Sequence, residues 1–184
     1  RMIGAKANSL KRPIKWFNIG ENFRYERPQK GRLRSFYQFN ADIFGEPGPG
    51  ADAELISLLG NTLQAFGLKD GDFTIRLSDR DIWLLILASE GIHEADATSV
   101  LGIIDKMERT DRSRCLEQLS DVLNKGAEDF MAMIETIMKI RDFASLRELL
   151  LNLKLDPERT EEAKLRINQW DILLSTLSST CVAN

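Results

Sequence analysis

The chain has 184 residues, enough to bury a sizeable core in one or two domains. Hydrophobic residues make up 43% and charged residues 29%, the balance of an ordinary globular chain, which excludes a fibrous or disordered one. A net charge of −3 excludes a wholly basic nucleic-acid binder, so any contact with a polyanion has to be local.

The chain opens at Arg1 directly on a helix-like stretch, MIGAKANSL, and stops at CVAN. It reads as part of a longer polypeptide, which leaves upstream targeting signals open. Ile14 to Arg27 and Leu33 to Phe44 alternate as strands do, joined by the polar loop RPQKGR. GEPGPGAD is a breaker-rich turn. Its prolines lack the N–H groups of a phosphate cradle, and no GK[ST] follows. Asp52 is expected to cap the next helix, with Glu54 in its first turn and Leu55, Leu58, Leu59, Leu63 and Phe66 as its buried stripe. FTIRL, Phe73 to Leu77, is expected to add a further strand.

From about Asp79 onward the spacing is helical throughout, in DRDIWLLILASEG, ADATSVLGIIDKMER, SRCLEQLSDVLNKG, AEDFMAMIETIMKIRDF, SLRELLLNL and EEAKLRINQWDILLSTL. Asp156 before Pro157 marks the start of the last helix, since proline suits a first turn. The fold class is therefore α+β, with residues 1–78 containing the sheet and residues 79–184 all helical. No internal repeat is evident. The longest apolar run, Ile82 to Ala88, is too short to span a bilayer. Cys115 and Cys181 lie far apart, and the single histidine, His93, leaves no zinc-ligand pattern. A reducing cytoplasmic setting fits this cysteine usage. His93 reads as a surface residue, Met131, Met133 and Met138 as core filler, and Trp16, Trp83 and Trp170 as structural.

Alternation sorts the two strands into faces. Phe17, Ile19, Glu21, Phe23 and Tyr25 share one side of the first strand, and Tyr37, Phe39, Ala41 and Ile43 one side of the second. If the strands pair antiparallel, these apolar sides are expected to join a common core. The other side then carries Asn18, Gly20, Asn22, Arg24 and Glu26 with Arg34, Phe36, Gln38, Asn40 and Asp42. Such a side is either a wet sheet face, common in antiparallel sheets, or a binding surface for a flat ring bearing both charge signs.

FRYERPQKGRLRSFYQFNADIFG, preceded by KWFNIGENF and followed by DAELI, resembles motif 2 of class II aminoacyl-tRNA synthetases. More narrowly it resembles the histidyl-tRNA synthetase family, with its FR-x-ERPQ-x-GR-x-R-x-F-x-Q pattern. LSDRDIW and the helices after it resemble, more loosely, the insertion domain of the eukaryotic and archaeal branch. The resemblance implies a partial class II catalytic domain in residues 1–78 and a helical insertion domain in residues 79–184. It implies activation of histidine with ATP to histidyl-adenylate and transfer to the tRNA 3′ end. Arg24 would be the catalytic residue, bridging the ATP α-phosphate and the amino-acid carboxylate. Glu26 would meet the adenine amino edge, Phe36 would stack on the adenine, and Arg32 would lie near the outer phosphates or the tRNA end. Gln38 would hold the histidine α-amino group and Asp42 would help to read its side chain. Many bacterial members carry glutamate at the position of Asp42; the aspartate resembles the other branch and keeps the acceptor. Mg²⁺ on the phosphates is implied by the family, with no protein metal site.

Arg27, Lys30, Arg32 and Arg34 either keep an exposed hairpin soluble or meet polyphosphate and the tRNA acceptor end; the motif favours the second. The family also implies a homodimer and an acceptor-stem contact for the helical part, where no basic stripe names residues. Motif 1, an RGLDYY-like histidine-binding segment, the motif 3 arginine and the anticodon-binding domain are not found in the chain. The isolated piece is therefore expected to be inactive. A histidine-sensing regulatory subunit of ATP phosphoribosyltransferase is the alternative reading, and an RNA-binding pseudo-synthetase domain of a stress kinase a third. The intact ERPQKGR loop favours the enzyme, since a sensor needs no ATP-handling arginines.

Overall fold

The computed structural model describes residues 2–6, 9–27, 29–123 and 126–180, the side chains of Met2 and Glu94 excepted. Cys181 and the terminal CVAN lie outside the described residues. The chain divides into two compact units, one of residues 1–75 with the chain from Gln169 onward, the other of residues 76–168.

In the first unit a short helix, α1 (Met2–Lys6), precedes two strands, β1 (Ile14–Phe23) and β2 (Ser35–Phe44). They pair antiparallel along their whole length, from Ile14 opposite Phe44 to Phe23 opposite Ser35. The connection narrows at a bridge between Gln29 and Arg32, where Gly31 takes φ +81°, a left-handed turn conformation that glycine adopts without strain. Gly45 ends β2 with the same φ, and a Cβ there would come within 2.8 Å of Arg12 Cδ. No strand forms at FTIRL; residues 73–77 are irregular, and the described sheet has two strands. Alternation alone does not make a strand when no ladder receives its N–H and C=O groups.

The helix α2 (Pro49–Ala65) begins earlier than expected. Gly48 is its N-cap and Pro49 occupies the first turn, where its fixed φ suits the helix and no N–H is missed, so Asp52 sits inside the first turn rather than capping it. Its expected leucine stripe is also corrected. Leu58, Leu59 and Phe66 are exposed, whereas the buried positions are the small residues Ala53 and Gly60. Ala53 packs with Leu173 and Leu177 of α8 (Pro157–Ser179), and Ile56 lies against them.

The second unit contains α3 (Arg80–Ser89), α4 (Glu94–Ile104), a 3₁₀ turn (Met107–Arg109), α5 (Arg112–Val122), α6 (Ala127–Ile137), α7 (Phe143–Leu151) and the first part of α8. Asp79 starts α3 by accepting hydrogen bonds from the N–H groups of Asp81 and Ile82, and Asp142 starts α7 through Ser145 N–H. Asp156 opens α8, as its place before Pro157 indicates, accepting from Arg159 N–H at 2.9 Å. Leu87, Val100, Ile103, Ile104, Cys115, Leu119, Phe130, Met131 and Ile134 form one buried cluster, with Met133, Met138 and Trp83 against its edge. Met131 is a core residue, Met133 and Met138 pack half-buried against the core, and His93 is an exposed residue at the start of α4. Among the described residues no helix is long and apolar enough to cross a membrane.

Candidate functional site

Directly opposed residues of an antiparallel pair project to the same side. The register sets Trp16 opposite Asp42, Asn18 opposite Asn40, Gly20 opposite Gln38 and Asn22 opposite Phe36. Beyond the last pair, Arg24 N–H donates to Arg34 C=O at 2.8 Å, so the ladder continues and Arg24 stands next to Phe36 on that side. The polar face read from alternation is thus assembled by the fold. Along it lie Arg24 with Phe36, then Gln38 about 7 Å on, then Asp42 about 20 Å beyond Phe36, at the axial rise of a strand.

The residues also find one another in pairs. The Arg24 guanidinium lies over the Phe36 ring, 5.0 Å from its centroid. Arg32 Nη1 meets Glu26 Oε2 at 2.7 Å across the loop, with the Glu26 side chain only 23% exposed. Arg34 donates from Nε to the Glu26 carbonyl at 3.2 Å and lies over the Tyr25 ring. Asp42 is exposed at the opposite end, across from Trp16, whose ring meets Phe44 edge-on at 5.8 Å.

The other face of the sheet does not join a core within the described residues, contrary to expectation. Phe17 is 70% exposed and Tyr37 76%, and Ile19, Phe23 and Phe39 are exposed as well. Two strands have no second layer of their own, so only the end near α2 is covered. There Lys15 Nζ pairs with Glu54 Oε2 at 2.6 Å, and Ala41 and Ile43 are half-buried.

Sequence reasoning assigned no role to three amides of the polar face, Asn18, Asn22 and Asn40. Gln38 Nε2 donates to Asn40 Oδ1 at 2.6 Å, and Asn40 Nδ2 donates to Asn18 Oδ1 at 2.9 Å. Asn22 turns instead to the Gly20 carbonyl at 3.2 Å. The signal was available: amides at alternate positions of both strands become neighbours once the register is known. Gly20 leaves the space beside Gln38 open, since a Cβ there would meet nothing within 4 Å. Among the described residues no group of three or more His, Cys, Asp or Glu side chains could hold a metal ion.

A family model described as histidyl-tRNA synthetase matches residues 1–179. The chain is 44% identical over 181 residues to a histidine–tRNA ligase of Opitutus terrae, covering 97% of this chain and 40% of the relative. It is 36% identical over 164 residues to a histidine–tRNA ligase of Halobacterium salinarum, covering 82% of this chain and 38% of that protein. Among solved structures, that of a histidyl-tRNA synthetase from Nostoc sp. PCC 7120 superposes with a TM-score of 0.77 over 97% of this chain and 40% of that one. At 20% identity that likeness shows a shared fold. The chain thus spans about 40% of the length of the proteins it resembles.

Proposed function

Because this chain belongs to the histidyl-tRNA synthetase family, we propose that it supplies part of the active site of a histidine–tRNA ligase. The carrying observation is the order of Arg24, Phe36, Gln38 and Asp42 along one sheet face. That order suits an elongated ligand with a base and phosphates at one end, an amine in the middle and an imidazole at the other.

In the proposed reaction a histidine carboxylate oxygen attacks the ATP α-phosphorus, and pyrophosphate leaves. The two reacting groups are both anions and repel each other. A guanidinium between them offsets that repulsion and stabilises the charge on the transferring phosphoryl group. Arg24 has this role, for which a planar and permanently charged fork is suited. Phe36 stacks on the adenine and Glu26 accepts from its amino group. Arg32 then serves the outer phosphates or the tRNA end, Gln38 accepts from the histidine ammonium, and Asp42 accepts from the imidazole. A hydroxyl of the tRNA 3′ end finally attacks the histidyl carbonyl carbon, and AMP departs. Mg²⁺ on the phosphates belongs to the same reading, and the substrate phosphates would supply most of its ligands.

The same proposal places residues 1–78 in the catalytic domain and the helical residues from 79 in an insertion domain. The compact unit of residues 76–168 supports the first boundary, and the grouping of the chain from Gln169 onward with residues 1–75 draws the insertion's end toward residue 168. A homodimeric, cytoplasmic ligase is part of the proposal.

The test is histidine-dependent ATP–pyrophosphate exchange by the intact ligase. Arg24→Ala is expected to depress it by about 10²- to 10³-fold, the scale for losing one preorganised charge donor. Wild-type exchange in that variant would remove this face from the active site. The isolated 184 residues are expected to show no exchange, and detectable exchange would overturn the view that they hold only part of the site.

A further inference from the structure

Gln38 is an ambivalent side chain: one end of its amide accepts hydrogen bonds and the other donates. An ammonium is a donor only, so Gln38 serves it when the carbonyl oxygen faces the ligand and opposes it when the NH₂ does. Something must therefore fix which end is which. Gln38 Nε2 donates to Asn40 Oδ1 at 2.6 Å, and Asn40 Nδ2 donates to Asn18 Oδ1 at 2.9 Å. Each amide donates to the next, from Gln38 through Asn40 to Asn18. Asn18 lies directly across the ladder from Asn40, so the backbone register sets the last acceptor beside it. Beside Gln38, Gly20 leaves room for an incoming group.

We propose that Asn40 and Asn18 are positioning residues that orient the Gln38 amide, presenting its carbonyl oxygen to the substrate ammonium and thereby selecting an amino acid over its hydroxy-acid analogue. This rests on the reading that Gln38 holds the histidine α-amino group. A hydroxyl is donor and acceptor at once, so it tolerates either amide orientation. The fixed orientation therefore favours the ammonium, and loss of the relay erodes that preference.

The experiment uses the intact ligase and measures KM and kcat for histidine, and inhibition by imidazole-lactic acid, in which a hydroxyl replaces the amino group. Asn40→Leu removes the acceptor for Gln38. It is expected to raise KM for histidine about tenfold with kcat nearly kept, and to lower the preference for histidine over the hydroxy acid, on the scale of one charge-assisted hydrogen bond. Asn18→Asp retains the acceptor at the end of the relay and is expected to keep KM within about twofold, whereas Asn18→Leu raises it about threefold. The Asn18 pair is at an exposed strand position, so it gives an answer even if Asn40→Leu does not fold. Equal losses for histidine and the hydroxy acid, or an Asn18→Leu enzyme no different from Asn18→Asp, would overturn the relay. Gln38→Ala separates the two levels of the argument. If it raises KM for histidine while the Asn18 and Asn40 variants do not, the relay fails and the histidine site stands. If Gln38→Ala leaves KM unchanged, both fail.

Discussion

The guanidinium of Arg24 covers the ring of Phe36, 5.0 Å from its centroid. Under the proposed function these two groups serve different parts of one nucleotide, the arginine its phosphate and the ring its base. Arg32 and Glu26, joined at 2.7 Å, stand in the same relation. A nucleotide therefore exchanges internal pairs for its own ring, amine and phosphates.

Base and phosphate binding should then reinforce each other. Inorganic phosphate, standing for the α-phosphate, draws Arg24 off the ring, leaving Phe36 open to adenosine. An exposed cation–π contact of about 0.5–1 kcal/mol corresponds to adenosine binding about two- to fivefold tighter with saturating phosphate. Calorimetric titration of the intact ligase with each ligand, alone and together, measures this; independent affinities would show that the pair imposes no cost.

The helical unit depends on its buried cluster more than on its caps. Leu119 is fully buried beside Cys115, Val100 and Ile134, so Leu119→Ala should cost about 2–5 kcal/mol. Asp79→Ala removes two hydrogen bonds at the start of α3 and should cost about 1 kcal/mol. Urea unfolding of both variants checks the order; a cap variant less stable than the core variant would contradict it.

Two helix-start carboxylates make this unit acid-sensitive. Asp142 is held below the usual aspartate range by the Ser145 backbone N–H and then the Ser145 hydroxyl. Asp156 is held down first by the Arg159 backbone N–H and then by the Arg159 charge. A native pKa below the unfolded one adds stability that is complete above the ordinary value of about 3.9 and disappears as pH falls through the native value. Unfolding midpoints measured downward from about pH 5 should fall. Asn at both positions keeps a capping acceptor without titrating and should flatten that fall; an unchanged slope would exclude these two groups as its source.

The apolar sheet face makes its own prediction. With Phe17, Ile19, Phe23, Tyr37 and Phe39 exposed on one side, the isolated 184-residue chain should associate as its concentration rises. Phe17→Lys with Phe39→Lys should suppress this in sedimentation velocity, and a wild-type chain that stays monomeric would count against it. These rings meet each other at 6.1 Å, so the pair forms the centre of the patch.

Much of the candidate face could be read from the sequence because a strand has a period of two. Alternation put Arg24, Phe36, Gln38 and Asp42 on one side, and the register agrees. Alternation says which residues share a side but not what covers it, so the opposite face was taken for core when it is exposed. In α2 the leucines outrank Ala53 in hydrophobicity, yet Ala53 is the buried residue because it meets Leu173 and Leu177, more than a hundred positions later. Local periodicity carries no information about a partner that distant. The amide relay was hidden for a related reason: Asn18 and Asn40 become neighbours only once the pairing offset is known.

The uninterrupted pairing from Ile14–Phe44 to Phe23–Ser35 also bears on how such a sequence can drift. A single codon gained or lost inside either strand reverses the side of every residue beyond it, since a one-residue slip exchanges the two faces. Tyr37 and Phe39 would then point where Phe36 and Gln38 now do, and the proposed substrate surface would vanish in one mutational step with the hydrophobicity of the segment unchanged. The turn around Gln29–Arg32 lies outside the paired stretch, so a length change there would leave the ladder in place but would displace Arg32 from Glu26. Lineages carrying this hairpin should therefore show almost no length changes in the strands.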